Sequence, residues 1–179
     1  MTWRVVLTGP ECTGKTTLAR ALALQLGAPW SAEASRAYAA ARDGVLTADD
    51  VEPIAHATLD ALRAVEQTEA PLLVADTDLV STVVYARHYY GDCPAWIETE
   101  CKARLADLYL LCAPDLPWEP DGVRDRPDER DRIALYDAFA ATLDAFGARV
   151  AHVAGTGVTR LNAALAMVIA AAPHGAPTS

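Results

Sequence analysis

Gly9-Pro10-Glu11-Cys12-Thr13-Gly14-Lys15-Thr16 fits the spacing GxxxxGK[ST]. Glycines at both ends let the backbone curl until successive N–H groups face one point, which is the geometry that holds phosphate oxygens. Lys15 would then reach the β- and γ-phosphates of a nucleoside triphosphate, and the Thr16 hydroxyl would ligate Mg²⁺. Gly9, Glu11, Cys12, Thr13, Gly14 and Thr17 complete the expected contacts to that cofactor. The chain holds two lysines, Lys15 and Lys102, against thirteen arginines, so composition alone does not account for a lysine at this position.

A phosphate loop names a ligand class and leaves the reaction open. The NKxD string with which GTPases read their base does not occur, and the strand that many motor-like ATPases end in Asp-Glu ends here in Asp76-Thr77-Asp78. A small-molecule kinase needs a second substrate near the γ-phosphate, a carboxylate for the attacking hydroxyl and cations over the moving phosphoryl. Asp76 is the first choice for the base, and it can also hold Mg²⁺ with Thr16. Glu33 is the other acid that could act as base, and it stands with Arg36 after the second strand. Asp78 suits either substrate contact or the N-cap of the helix that follows it.

Arg124, Arg126, Arg130 and Arg132 fall within nine residues beside Pro114, Pro117, Pro120 and Pro127. Asp115, Glu119, Asp121, Asp125, Asp128, Glu129 and Asp131 dilute that charge, so the stretch reads as a mobile lid bringing guanidinium forks to phosphate, not as a nucleic-acid patch. The expected lid spans about 113–131, with Arg124, Arg126 and Arg130 as its catalytic cations. Tyr38, Tyr85, Tyr89, Tyr90, Trp96 and Trp118 could stack on a flat heterocycle, and Trp118 among the prolines has the best case. Glu33, Arg36, Asp78, Trp118 and Asp121 form the expected substrate contacts. His56, His88, His152 and His174 form no metal or triad pattern.

The elements that must position these groups alternate. Strand-like runs at 3–8, Trp30-Ser31, 72–75, 108–112 and 149–153 are separated by helical periodicities over 15–26, 33–42, 47 to about 70, 79–89, 95–105, 133–146 and a last helix carrying Leu161, Leu165, Val168 and Ile169. Leu72-Leu73-Val74-Ala75 shows no alternation, as expected of a strand covered on both faces. The pattern predicts one doubly wound α/β domain with a parallel five-stranded sheet over 1–172, and a flexible tail over 173–179. Ligands in such sheets bind beyond the carboxyl ends of the strands.

With 179 residues and 52% hydrophobic content the chain suits a single folded domain. A net charge of -9 argues against nucleic acid and anionic membrane as partners. Apolar runs stop well short of the roughly 18 residues of a membrane span, and the first strand begins too early to leave room for a leader, so the cytoplasm is expected. Cys12, Cys93, Cys101 and Cys112 show no CxxC spacing and read as reduced thiols.

Three stretches carry a more particular likeness. GPECTGKTTLA, ADTDLVSTVVYARHYYGDCPAWI and DLYLLCAPDLPWEPDGVRDRPDER resemble, in that order, the ribosylnicotinamide kinase domain of the bacterial trifunctional NAD biosynthesis regulators. The resemblance implies a P-loop, nucleoside-kinase-like fold that uses ATP and Mg²⁺ to phosphorylate the 5′-hydroxyl of nicotinamide riboside. It also implies that Gly155 and Thr156, with Gly157, face the adenine. Members of that family carry a DNA-binding segment and a nucleotidyltransferase ahead of the kinase. This sequence starts at the kinase's first strand, so neither activity is expected of it. Cys12-Thr13 replaces two serines common in relatives and would make the loop sensitive to oxidation. The expected partner is a small-molecule nucleoside, another nucleoside or a regulatory ATP-binding role stands as the alternative, and a homo-oligomer is left open.

Overall fold

The computed structural model describes residues 2–42, 44–117 and 129–173. Trp118, Asp121, Arg124 and Arg126, and the tail from His174, lie outside the described residues. Five strands, β1 (Trp3–Thr8), β2 (Trp30–Ser31), β3 (Leu72–Asp76), β4 (Leu108–Cys112) and β5 (Val150–Val153), pair in the order β2-β3-β1-β4-β5. All pairs are parallel. The connecting helices are α1 (Lys15–Leu26), α2 (Ala34–Ala40), α3 (Val51–Glu66), α4 (Leu79–Tyr90), α5 (Ala95–Ala103), α6 (Glu129–Ala145) and α7 (Gly157–Ala171).

Successive side chains of a strand point to opposite faces, and both faces here are covered. Val5, Leu7, Leu72, Val74, Leu110 and Cys112 pack against α1 and α7. Val6, Leu73, Ala75, Tyr109 and Leu111 pack against α3, α4, α5 and α6. This double burial explains the unbroken apolar runs, each fully buried leucine contributing roughly 1.5–3 kcal/mol. The crevice that binds ligands in such sheets opens beside β1, where the crossover leaving β1 for β2 and the crossover leaving β3 for β4 run in opposite directions. Register pairs Leu7 with Asp76 and Thr8 with Leu111, so the acids after β3 and the loop after β1 leave the sheet at one level.

Two helix starts differ from the periodicity by several residues. A 3₁₀ turn at Ala48–Asp50 precedes α3, where Asp50 accepts the Thr47 N–H at 2.8 Å and closes a capping box. α6 begins at Glu129 and not near Ile133, because its first turn is polar and shows no apolar repeat. Among the described residues no helix is long and apolar enough to cross a membrane.

Candidate active site

β1 delivers the chain to Gly9 hard against the end of β4. Gly9 has φ +127°, and a Cβ there would stand 2.8 Å from the Cys112 carbonyl oxygen, so glycine is required. Gly14 is left-handed at φ +71° and opens α1 without a side-chain cap. The first N–H groups of α1 thus carry the positive end of the helix dipole with no capping side chain competing for them. Thr13 Oγ1 and Lys15 Nζ both donate to the Pro10 carbonyl at 2.8 Å, which folds the loop around its own lysine. Cys12 has φ +54°, and all four cysteines are buried and outside any disulfide among the described residues.

Asp76 closes β3 directly beside this loop. Its Oδ2 accepts from Thr16 Oγ1 at 2.5 Å, while the buried Oδ1 has no hydrogen-bond partner among the described residues. Burial, helped by the nearby Glu33, pushes its carboxyl above the usual range, and the Thr16 hydroxyl, Lys15 and Arg36 pull part of the way back. A buried carboxylate oxygen with unused acceptor capacity, next to a hydroxyl, is an oxygen donor set that fits Mg²⁺. Asp78 does cap α4, accepting the Val80 N–H at 2.9 Å, and its other oxygen takes the Tyr109 hydroxyl at 2.5 Å. Burial pushes the Asp78 carboxyl up to about 6 against the pull of those two donors. Tyr109 is raised further still by its own burial and by the Asp78 charge.

Between these acids and α3 lies a cavity of about 320 Å³. Lys15, Glu11, Glu33, Arg36 and Asp78 line its phosphate-loop end, with Ser81 and Thr82 along α4 and Tyr85, Tyr89 and Tyr90 at the far wall. Glu33 stands at the N-cap position of α2 without a side-chain cap bond, accepts from the Ser35 hydroxyl at 3.0 Å and pairs with Arg36 at 3.5 Å across one helical turn, so the pair has both its local partners and a place on the cavity wall. Tyr85 and Tyr89 stack with centroids 5.9 Å apart. Trp96 stacks instead on His56, and Tyr38 donates to Asp50, which explains both without a ligand.

On the other side of the phosphate loop, Gly155 and Thr156 follow β5. The Gly155 N–H is accepted by Asp115 at 2.6 Å, and Arg160 of α7 reaches Asp115 at 2.7 Å. Partial burial works against the Asp115 charge, but the Gly155 N–H and Arg160 outweigh it and hold the carboxyl below its usual range. Arg130 is exposed on the first turn of α6, whereas Arg132 is buried and donates to the Leu116 carbonyl at 3.0 Å. Leu116 lies over Gly14, its Cδ1 2.9 Å from the position of a Cβ, so Arg132 braces the segment that covers the phosphate loop.

A family model described as AAA domain matches residues 4–160. The chain belongs to this AAA domain family. No curated protein sequence matches it significantly. Among solved structures, the NadR protein in complex with NAD and AMP-PNP is similar at TM-score 0.69 and 25% identity, over 93% of this chain and 48% of that one. NadR in complex with NR is similar at TM-score 0.72 and 24% identity, over 93% and 50%. Thymidylate kinase from Ehrlichia chaffeensis aligns at TM-score 0.68 and 14% identity, over 94% and 97%. This AAA domain therefore has a P-loop nucleoside and nucleotide kinase-like fold, and it spans about half the length of the NadR chains it matches.

The AAA domain brings Glu11, Lys15, Glu33, Arg36 and Asp78 to one cavity and joins Asp76 to Thr16. It sets Arg130 on the surface of α6. The tyrosines of α4 were among the aromatic residues expected to stack, ranked behind Trp118 because aromatic residues on helices more often fill core, and one group escaped sequence reasoning. Arg160 carried no signal at all, because nothing in the sequence shows that the first turn of α7 lies behind the phosphate loop.

Proposed function

We propose that this domain is an ATP-dependent nucleoside kinase that phosphorylates the 5′-hydroxyl of nicotinamide riboside to give nicotinamide mononucleotide. The observation that carries this reading is the single cavity joining the phosphate-loop lysine to Glu33, Arg36 and Asp78. An acceptor already bearing a phosphate would add a dianion beside Glu11, Glu33 and Asp78, with Arg36 and Lys15 as the cations among the described lining residues, so a nucleoside fits better than a nucleotide. The similarity to NadR in complex with NR supports the choice of nucleoside.

In this reading the backbone N–H groups from Gly9 to Thr16 bind the triphosphate and Lys15 neutralises charge on the moving phosphoryl. Thr16 and Asp76 would hold Mg²⁺, which when bound neutralises the β- and γ-phosphates. Glu33, on the cavity wall, orients the acceptor hydroxyl and takes its proton, which leaves Asp76 to the metal. Arg36 balances the Glu33 charge, and Tyr85 and Tyr89 present ring faces to the heterocycle. Arg124, Arg126 and Arg130 remain the proposed lid cations, and Trp118 and Asp121 proposed substrate contacts. The test is incubation with ATP, Mg²⁺ and a panel of nucleosides and nucleoside monophosphates, with products resolved by mass. A new mass at nicotinamide mononucleotide, formed faster than any other product, is the expected result. Phosphorylation of only another nucleoside, or ATP binding with no product, would defeat it.

A further inference from the structure

Arg160 is 4% exposed, yet it belongs to none of the groups that line the acceptor cavity. All four hydrogens of its two terminal nitrogens have acceptors. Nη1 donates to Asp115 Oδ1 at 2.7 Å and to the Gly155 carbonyl at 2.7 Å, and Nη2 donates to the Thr13 carbonyl at 2.8 Å and the Ala113 carbonyl at 3.3 Å. One buried fork thus ties together the loop after β1, the exit of β4 and the loop after β5. Asp115 closes the ring by accepting the Gly155 N–H.

Two of those carbonyls precede backbone donors of interest. In a planar trans peptide the carbonyl and the next N–H point to opposite sides. Holding the Thr13 oxygen from behind therefore turns the Gly14 N–H toward the concave side of the phosphate loop. Holding the Gly155 oxygen turns the Thr156 N–H away from the guanidinium in the same manner. Gly14 and Gly155 both sit at positive φ, +71° and +91°, where a glycine backbone is free to rotate unless something fixes it.

We infer that Arg160 is a positioning residue for the nucleotide, a single guanidinium that fixes the phosphate-facing and base-facing backbone donors together, so that ATP gains from both ends at once. The inference rests on the proposed function for its nucleotide and on the further proposal that the Gly155–Thr156 loop takes the base end. Lysine keeps the charge at this site but cannot supply a planar fork to four acceptors.

Calorimetric titration of the whole chain with ATP, inorganic tripolyphosphate and nicotinamide riboside separates the possibilities. For Arg160→Lys, the Kd for ATP should rise about tenfold or more, that for tripolyphosphate by a smaller factor, and that for nicotinamide riboside by less than about twofold. Asp115→Asn, which keeps the guanidinium and loosens its anchor, should shift the three ligands in the same order by smaller factors, and it serves if the first variant does not fold. Unchanged ATP affinity in the folded variants would overturn the inference. Equal losses for ATP and tripolyphosphate would also overturn it, since the base end would then be uncoupled, and so would a parallel loss for nicotinamide riboside, which marks general loosening. A wild-type chain that binds neither ATP nor tripolyphosphate would instead bring down the functional reading itself.

Discussion

The phosphate loop and the acceptor cavity share one end of the sheet and differ in what they are made of. From Gly9 to Thr16 the ligand-facing groups are mainly backbone N–H, set by two glycines at positive φ and held from behind by side chains such as Arg160 and Thr13. The cavity is built from side chains delivered by distant segments, Glu33 and Arg36 after β2, Asp78 after β3 and the tyrosines of α4. A site made of consecutive backbone leaves its trace in a short word of sequence. A site made of converging side chains leaves only isolated residues whose meeting depends on strand order.

Substitutions can break that division. Lys15→Ala should lower kcat by on the order of 10³ or more while the melting temperature stays near wild type, since it removes one buried hydrogen bond to Pro10 along with the phosphate-facing charge. Steady-state rates with a melting curve check this, and near wild-type turnover would remove the loop from the chemistry.

The two acids then divide the regions more finely. Asp76→Asn and Glu33→Gln should each reduce kcat by on the order of 10². Only the Asp76 change should also raise the Mg²⁺ concentration needed for half-maximal rate, because Asp76 touches Thr16 and Glu33 faces the cavity. A shifted Mg²⁺ requirement in Glu33→Gln, with none in Asp76→Asn, would reverse the two roles.

Asp78 offers a measurement through stability. Its carboxyl titrates at about 6 in the fold and at 3.8 in an ordinary setting, so the folded state holds the proton more tightly. The resulting stabilisation is present below pH 3.8 and is lost as pH rises through about 6. Between pH 7 and pH 4 the wild type should gain about 2 kcal/mol relative to Asp78→Asn, read from denaturant unfolding at each pH. A pH-independent difference would show that burial does not hold this proton on Asp78.

The smallest effect belongs to the far wall. Tyr89→Ala should raise the KM for the nucleoside about tenfold and leave that for ATP unchanged, as loss of a single stacking face predicts. A larger effect on ATP would place Tyr89 on the wrong side of the comparison.

Legibility followed the same line. The β1–Gly9–Lys15–α1 unit was readable because glycine, lysine and threonine at that spacing combine with a strand before and a helix after, all within one local stretch. The DTD exit of β3 was readable as a pair of acids at a strand end. So were the cap that Asp78 gives to α4 and the pairing of Asp76 with Thr16, whereas the Tyr109 hydroxyl on the second oxygen of Asp78 was not, because that contact is remote in sequence. The start of α6 was misjudged by four residues because Glu129, Arg130 and Asp131 have no apolar repeat to mark them.

Local sequence alone determined the alternation of strands and helices, the glycine turns and the phosphate loop, because backbone conformation and hydrophobic period are set by neighbours along the chain. Only the tertiary structure decided that Glu33, Arg36, Asp78 and the α4 tyrosines share a cavity, and that Arg160 stands behind Thr13 across 147 residues of chain. Those contacts arise from the strand order β2-β3-β1-β4-β5, which brings the strand exits side by side and fixes each side chain's neighbours through packing rather than through the residues next to it in sequence.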